Sequence, residues 1–241
     1  MRKIILFTLL VVGGALLSNG AGDGVRIEVP ESIEAGSPEK IDTERLFYDN
    51  LCLEGTISYE AFSEALRGYR AIEKRTSDIL TLIDFSKPSN VERLAVVDMR
   101  RGRLLETSVV AHGQGSGSLY ATKFSNVDGS HQSSLGFYLT AGTYAGSNGY
   151  SLKLIGLEKG FNDNALSRAI VMHGADYCSE SVIGTPQRLG RSWGCPAVPR
   201  EKSREIIDTI KGGSVLFIYA KDRDYLAKSP LLRKSGSTFA G

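Results

Sequence analysis

From Leu94 to Ala220 the chain is built of short apolar segments, six to nine residues each, set apart by Gly, Ser and Asn clusters. That spacing leaves a β-rich fold as the economical solution, because segments this short are strand-sized and the breaks between them are turn residues. LAVVDM (94–99), a turn at Arg101-Gly102 and LLETSVVA (104–111) read as a hairpin. SSLGFYLT (133–140), YSLKLIGLE (150–158), RAIVMHG (168–174) and SVLFIYA (214–220) are further strands. One helix interrupts them at about 199–211, with Pro199 suited to its first position and Gly212-Gly213 ending it.

The N-terminal third has a different texture. Arg2 and Lys3 precede an apolar run from Ile4 to Leu17, followed by small and polar residues, the pattern of a secretory signal peptide over residues 1–21. The run is short of the roughly 20 residues that a membrane-spanning helix needs. No cysteine lies there, so lipid anchoring is not expected. Residues 22–40 read as a flexible leader and 41–85 as a helical segment. In the latter, Tyr59, Phe62, Leu66, Tyr69 and Ile72 recur at three- and four-residue steps behind a Ser58 cap. Residues from Lys221 onward are polar, and 222–241 is expected to fray.

Loss of Arg2 and Lys3 on cleavage turns 29 basic against 27 acidic residues into an even balance. A neutral exported chain lacks the basic footprint of a nucleic-acid binder. Cys52, Cys178 and Cys195 are an odd number for an oxidising compartment, so at least one thiol is left over. A Cys52–Cys178 bridge is one arrangement, which spacing alone does not establish.

The stretch GRSWGCPAVP places Cys195 after a small flexible turn and directly before a proline. A residue before proline is pushed out of the helical region, so the thiol is presented from extended chain and no helix dipole activates it. An unassisted thiol is mostly protonated at neutral pH and needs a partner such as an imidazole. His173 is the candidate. It ends the apolar run AIVM, where a strand emerges into a glycine turn, and a long loop, 174–194, leads from there to Cys195. Ser192 can brace the loop, and Gly194 can bring backbone N–H groups to a developing oxyanion. The plain alternative is an inert buried thiol and a core histidine. Zinc held by His173, Cys178 and Cys195 ranks lowest, because spacings of five and seventeen lack the paired geometry of familiar sites. No metal or cofactor is expected.

Taken together, IVMHGADYCSESVIGTPQRLGRSWGCPAV resembles the L,D-transpeptidases of bacterial cell walls, the YkuD-type catalytic domain, whose hallmark is a histidine, a loop, then Ser/Thr-x-Gly-Cys. The hairpin LAVVDMRRGRLLETSVVAHG and SSLGFYLT look like the family's opening strands, so the resemblance covers about residues 90–221. It is closest to a divergent branch marked by TKFSN, YAGSNGYSLKLIGLE and GRSWGCPAV, with Trp193 before and Pro196-Ala197 after the core motif.

The resemblance implies a mainly β fold with flanking helices, a YkuD-like mixed β-sandwich behind an N-terminal helical segment. It also implies cysteine acyl transfer on peptidoglycan tetrapeptide stems, with release of D-alanine and formation of 3-3 cross-links, in the periplasm or cell envelope. Cys195 would be the nucleophile and His173 the base, steered by the Gly174 carbonyl, with Ser192 beside them. Trp193 and Gly194 would supply the oxyanion site, and Arg191, His112 and Tyr150 are candidate substrate contacts. Hydrolysis of the same bond, as an L,D-carboxypeptidase, and static binding of wall peptides are the alternatives.

Overall fold

A computed structural model of the chain describes residues 42–184 and 187–233. The signal-peptide and leader expectations lie outside the described residues. Eight strands form one hydrogen-bonded mixed sheet: β1 (Ile79–Asp84), β2 (Leu94–Asp98), β3 (Arg103–Ser108), β4 (Gly136–Gly146), β5 (Gly149–Gly156), β6 (Val171–Ala175), β7 (Ala197–Pro199) and β8 (Val215–Tyr219). Their order across the sheet is β3-β2-β1-β8-β4-β5-β6-β7. Only β1–β8 and β6–β7 are parallel pairs. The helices are α1 (Thr43–Asn50), α2 (Tyr59–Ala71), α3 (Arg200–Ile210), α4 (Arg223–Lys228) and α5 (Pro230–Arg233). The fold is thus mainly β with flanking helices. Among the described residues no helix is long and apolar enough to cross a membrane.

α2 packs on β1 and β8, and α3 on β6. α2 buries Phe62, Ala65, Leu66 and Tyr69 on one face, and the Ser58 hydroxyl caps it by accepting from Ala61 N. Gly68 permits the close approach to the sheet, since a Cβ there would sit 2.0 Å from the Phe137 ring. α3 buries Ile206, Ile207 and Ile210.

Two expectations give way. The 41–85 segment is not helical throughout: α2 stops at Ala71, and β1 runs within the sheet between β2 and β8. Buried along nearly its whole length, β1 shows no alternation, and a short continuous apolar run cannot be told from buried helix by period alone. The C-terminal stretch does not fray through 233. Tyr225 and Leu232 are buried, and the Tyr225 hydroxyl donates to the buried Glu158 carboxylate at 2.9 Å. Phe137 N and the Ser229 hydroxyl donate to the same carboxylate. A few apolar residues and one buried acceptor therefore dock a segment whose average composition is polar.

Candidate active site

The site is built where the sheet ends. β6 pairs with β5 on one side, Ser151 opposite His173, and with β7 on the other, His173 opposite Ala197. Past β7 runs the segment that follows β3: Ala111 N donates to Ala197 O (2.8 Å), Ser192 N to His112 O (3.0 Å) and Gln114 N to Ser192 O (2.8 Å). The chain arriving at Cys195 is thereby held by backbone on both sides.

Residues 192–195 form a turn closed on one hydroxyl. Ser192 Oγ donates to Cys195 O at 2.6 Å and accepts from Gly194 N at 3.1 Å. Gly194 has φ +123°, and a Cβ there would lie 2.9 Å from both Gln132 O and Ile170 Cδ1, so the position demands glycine. Ser133 Oγ donates to Gly194 O (3.1 Å) and accepts from Gly113 N (3.0 Å). The expected oxyanion role of Gly194 is therefore corrected: its N–H is already spent on Ser192. The N–H groups of Trp193 and Cys195 have no backbone acceptor among the described residues.

His173 and Cys195 open into one cavity of about 410 Å³. Ser192, Trp193 and Arg191 line it from the loop, with Asn148, Arg168 and Tyr177 contributing the rest of its polar wall. The Nδ1 atom of His173 lies 3.1 Å from the Gly174 carbonyl oxygen. The sulfur of Cys195 accepts from Val171 N at 3.5 Å and faces Ala169 O at 3.6 Å. Burial pushes the thiol upward, while the Val171 N–H and the Arg168 charge pull it back. Burial pushes the His173 imidazole downward, against the Gly174 carbonyl, with Arg200 adding to the fall. Both groups thus tend to neutrality at rest, and the support for an ionised sulfur comes from a strand amide and an arginine, where the sequence pointed to the imidazole alone.

Two expected substrate contacts lie elsewhere. His112 is fully buried behind Ser192, with Nδ1 2.9 Å from an Arg93 guanidinium nitrogen, and burial drives its pKa down to about 4. Arginine only donates, so Nδ1 is an acceptor there. Tyr150 donates its hydroxyl to Asp208 at 2.6 Å beneath Arg204 and is not on the cavity wall. Arg191 is on the wall, with Nη1 donating to Gly117 O at 2.9 Å. Trp193, 72% exposed, stacks on His131 at 5.1 Å.

Sequence reading missed Arg168, His131, Asn148 and Tyr177. Arg168 alone offered a signal, a cation opening an otherwise apolar run; the strand in fact starts at Val171, after a turn in which Ala169 has φ +53°. Cys52 is exposed, Cys178 is buried with Sγ on Ala197 O (3.2 Å), and all three cysteines are free thiols. Among the described residues no group of three or more His, Cys, Asp or Glu could hold a metal ion.

Solved structures with similarity to this chain include an L,D-transpeptidase from Mycobacterium smegmatis (11% identity, TM-score 0.36, 60% of this chain and 59% of that one). L,D-transpeptidase 3 from Mycobacterium tuberculosis gives 10% identity and TM-score 0.38, over 59% of this chain and 61% of that one. The helical cell shape determining protein Pgp2 from Campylobacter jejuni gives 12% and 0.40, over 66% and 56%. The chain thus spans about three fifths of the length of the structures it matches. No curated protein matches it. The YkuD_2 family, described as the L,D-transpeptidase catalytic domain, matches residues 53–219. That span starts before α2, takes in all eight strands and includes both His173 and Cys195: the chain belongs to the L,D-transpeptidase catalytic domain family.

Proposed function

We propose that the chain is a peptidoglycan L,D-transpeptidase whose acyl carrier is Cys195. The observation that carries this reading is that His173 and Cys195, far apart in sequence, open into the same cavity while Nδ1 of His173 is bound at the Gly174 carbonyl. A carbonyl only accepts, so Nδ1 holds the ring proton and Nε2 keeps a lone pair with which to take the thiol proton. Because both groups favour neutrality at rest, the proton moves as the sulfur attacks, and no standing ion pair is needed.

The sulfur adds to the carbonyl of the third residue of a tetrapeptide stem, and the oxyanion accepts from the N–H groups of Trp193 and Cys195, which have no backbone acceptor among the described residues. Collapse breaks the bond to the terminal D-alanine, whose amine leaves with the proton held by His173. The side-chain amine of a second stem then attacks the thioester, releasing the thiol and forming a 3-3 cross-link. Ser192 holds the nucleophile turn, and Arg191 offers its remaining donors to a stem carboxylate. The charged start and short apolar run of the sequence support export to the cell envelope, where this substrate is found.

Incubation of the purified protein with a disaccharide-tetrapeptide, followed by mass spectrometry, tests the reading. A cross-linked dimer with loss of D-alanine is expected. Tripeptide alone identifies an L,D-carboxypeptidase, and untouched substrate, with no covalent carbapenem adduct on Cys195, a binding module.

A further inference from the structure

Arg168 stands in the turn just before β6 and is one of the residues lining the cavity that holds Cys195. Its terminal nitrogens are clamped by the 125–134 segment. Nη1 donates to Ser125 O (2.9 Å) and Ser134 Oγ (2.6 Å); Nη2 donates to Gln132 O (2.9 Å) and Ser130 Oγ (3.2 Å). Every one of these acceptors is neutral, so the clamp fixes the guanidinium without discharging it. Nε is buried and has no hydrogen-bond partner. Among the described residues no carboxylate lines the cavity: its charged residues are Arg168 and Arg191, beside the titratable His173, Tyr177 and Cys195.

We infer that Arg168 is a charge-stabilising residue whose guanidinium, locked by the 125–134 segment before any substrate arrives, favours the anionic form of the Cys195 sulfur as its proton leaves. The inference rests on the reading of Cys195 as the nucleophile. A fixed cation stabilises a developing anion without reorganising, the condition under which electrostatic assistance is greatest. Arg191 is the less firmly fixed of the two, since only its Nη1 is bound, to the Gly117 and Gln114 carbonyls. The other groups bearing on the pair are the Val171 N–H and Tyr177 at the sulfur, Arg200 beside His173, and Tyr138 and then Asp128 acting on Arg168. The same segment holds Gly194 through Ser133 and Trp193 through His131. Charge and scaffolding must therefore be told apart.

The test is the pH profile of iodoacetamide alkylation of the full chain, read peptide by peptide in a mass spectrometer, with exposed Cys52 as the internal control. Arg168→Gln is expected to slow alkylation of Cys195 roughly tenfold at pH 7 and to move its profile to higher pH, leaving Cys52 unchanged. Arg168→Lys keeps the charge and loses the fork, and is expected to stay within about threefold of wild type. Ser134→Ala trims the clamp, leaves Ser125 O in place, and is expected to leave the profile unmoved. The inference is overturned if Arg168→Gln superimposes on wild type, or if Arg168→Lys is as slow as Arg168→Gln. Should Arg168→Gln not fold, Arg168→Lys decides alone: near wild-type rates support the inference and a tenfold loss removes it. A Cys195→Ala protein that still cross-links would remove the nucleophile reading and leave this profile as it is.

Discussion

The amide of Val171 lies 3.5 Å from the sulfur of Cys195, and His173 stands two positions further along the same strand. Side chains two apart on a strand share a face. With His173 opposite Ala197 across a parallel pair, Cys195, two residues before Ala197, comes abreast of Val171. The short parallel pair β6–β7 therefore turns a long excursion in sequence into adjacency in space.

Cys195→Ala is expected to abolish turnover while costing about 1 kcal/mol of stability, since only a sulfur at the margin of the core is lost. Product analysis together with a denaturant midpoint checks both halves. Retention of cross-linking activity sinks the assignment.

Ser192→Ala is expected to lower the acylation rate by about tenfold to a hundredfold, because the hydroxyl that ties Gly194 N to Cys195 O sets the aim of the nucleophile. Loss of the two bonds costs on the order of 1–2 kcal/mol. Ser192→Thr keeps the hydroxyl, and a Thr variant as slow as Ala would contradict the bracing role.

Gly194→Ala and Gly212→Ala form an informative pair. Both glycines have positive φ, but a Cβ at Gly212 meets nothing within 4 Å, whereas at Gly194 it meets Gln132 O and Ile170 Cδ1. Each loses about 1 kcal/mol to backbone strain, and Gly194→Ala is expected to lose a further 1–3 kcal/mol as well as activity. Equal unfolding free energies for the two variants would show that the turn has room to spare.

His112 predicts a pH dependence of stability. Its folded pKa, about 4, lies below the ordinary imidazole value of 6.5, so the unfolded chain binds the proton more tightly. Its contribution is full above about pH 6.5 and is lost as pH falls towards 4, by up to about 3 kcal/mol. Urea titrations across that window should show the decline, and His112→Leu should flatten it. An unchanged slope in the variant excludes His112 as the source.

The mainly β character was legible from short segments and turn clusters, and that Cys195 and His173 are candidates came from their local settings, a thiol before proline and an imidazole at a strand end. These are properties of neighbouring residues, which a linear chain displays. β1 was not legible, because a strand covered on both faces carries no alternation, and neither was the docking of Tyr225 on Glu158, which depends on a partner far along the chain. His112 and Tyr150 illustrate the same limit from the other side. Each has the chemistry of a binding residue, and only packing, against Arg93 and against Asp208, decided that it faces away from the cavity. Arg168 came to the cavity of Cys195 by tertiary structure alone: sequence supplied a cation and a thiol, and the fold set both among the residues that line one cavity.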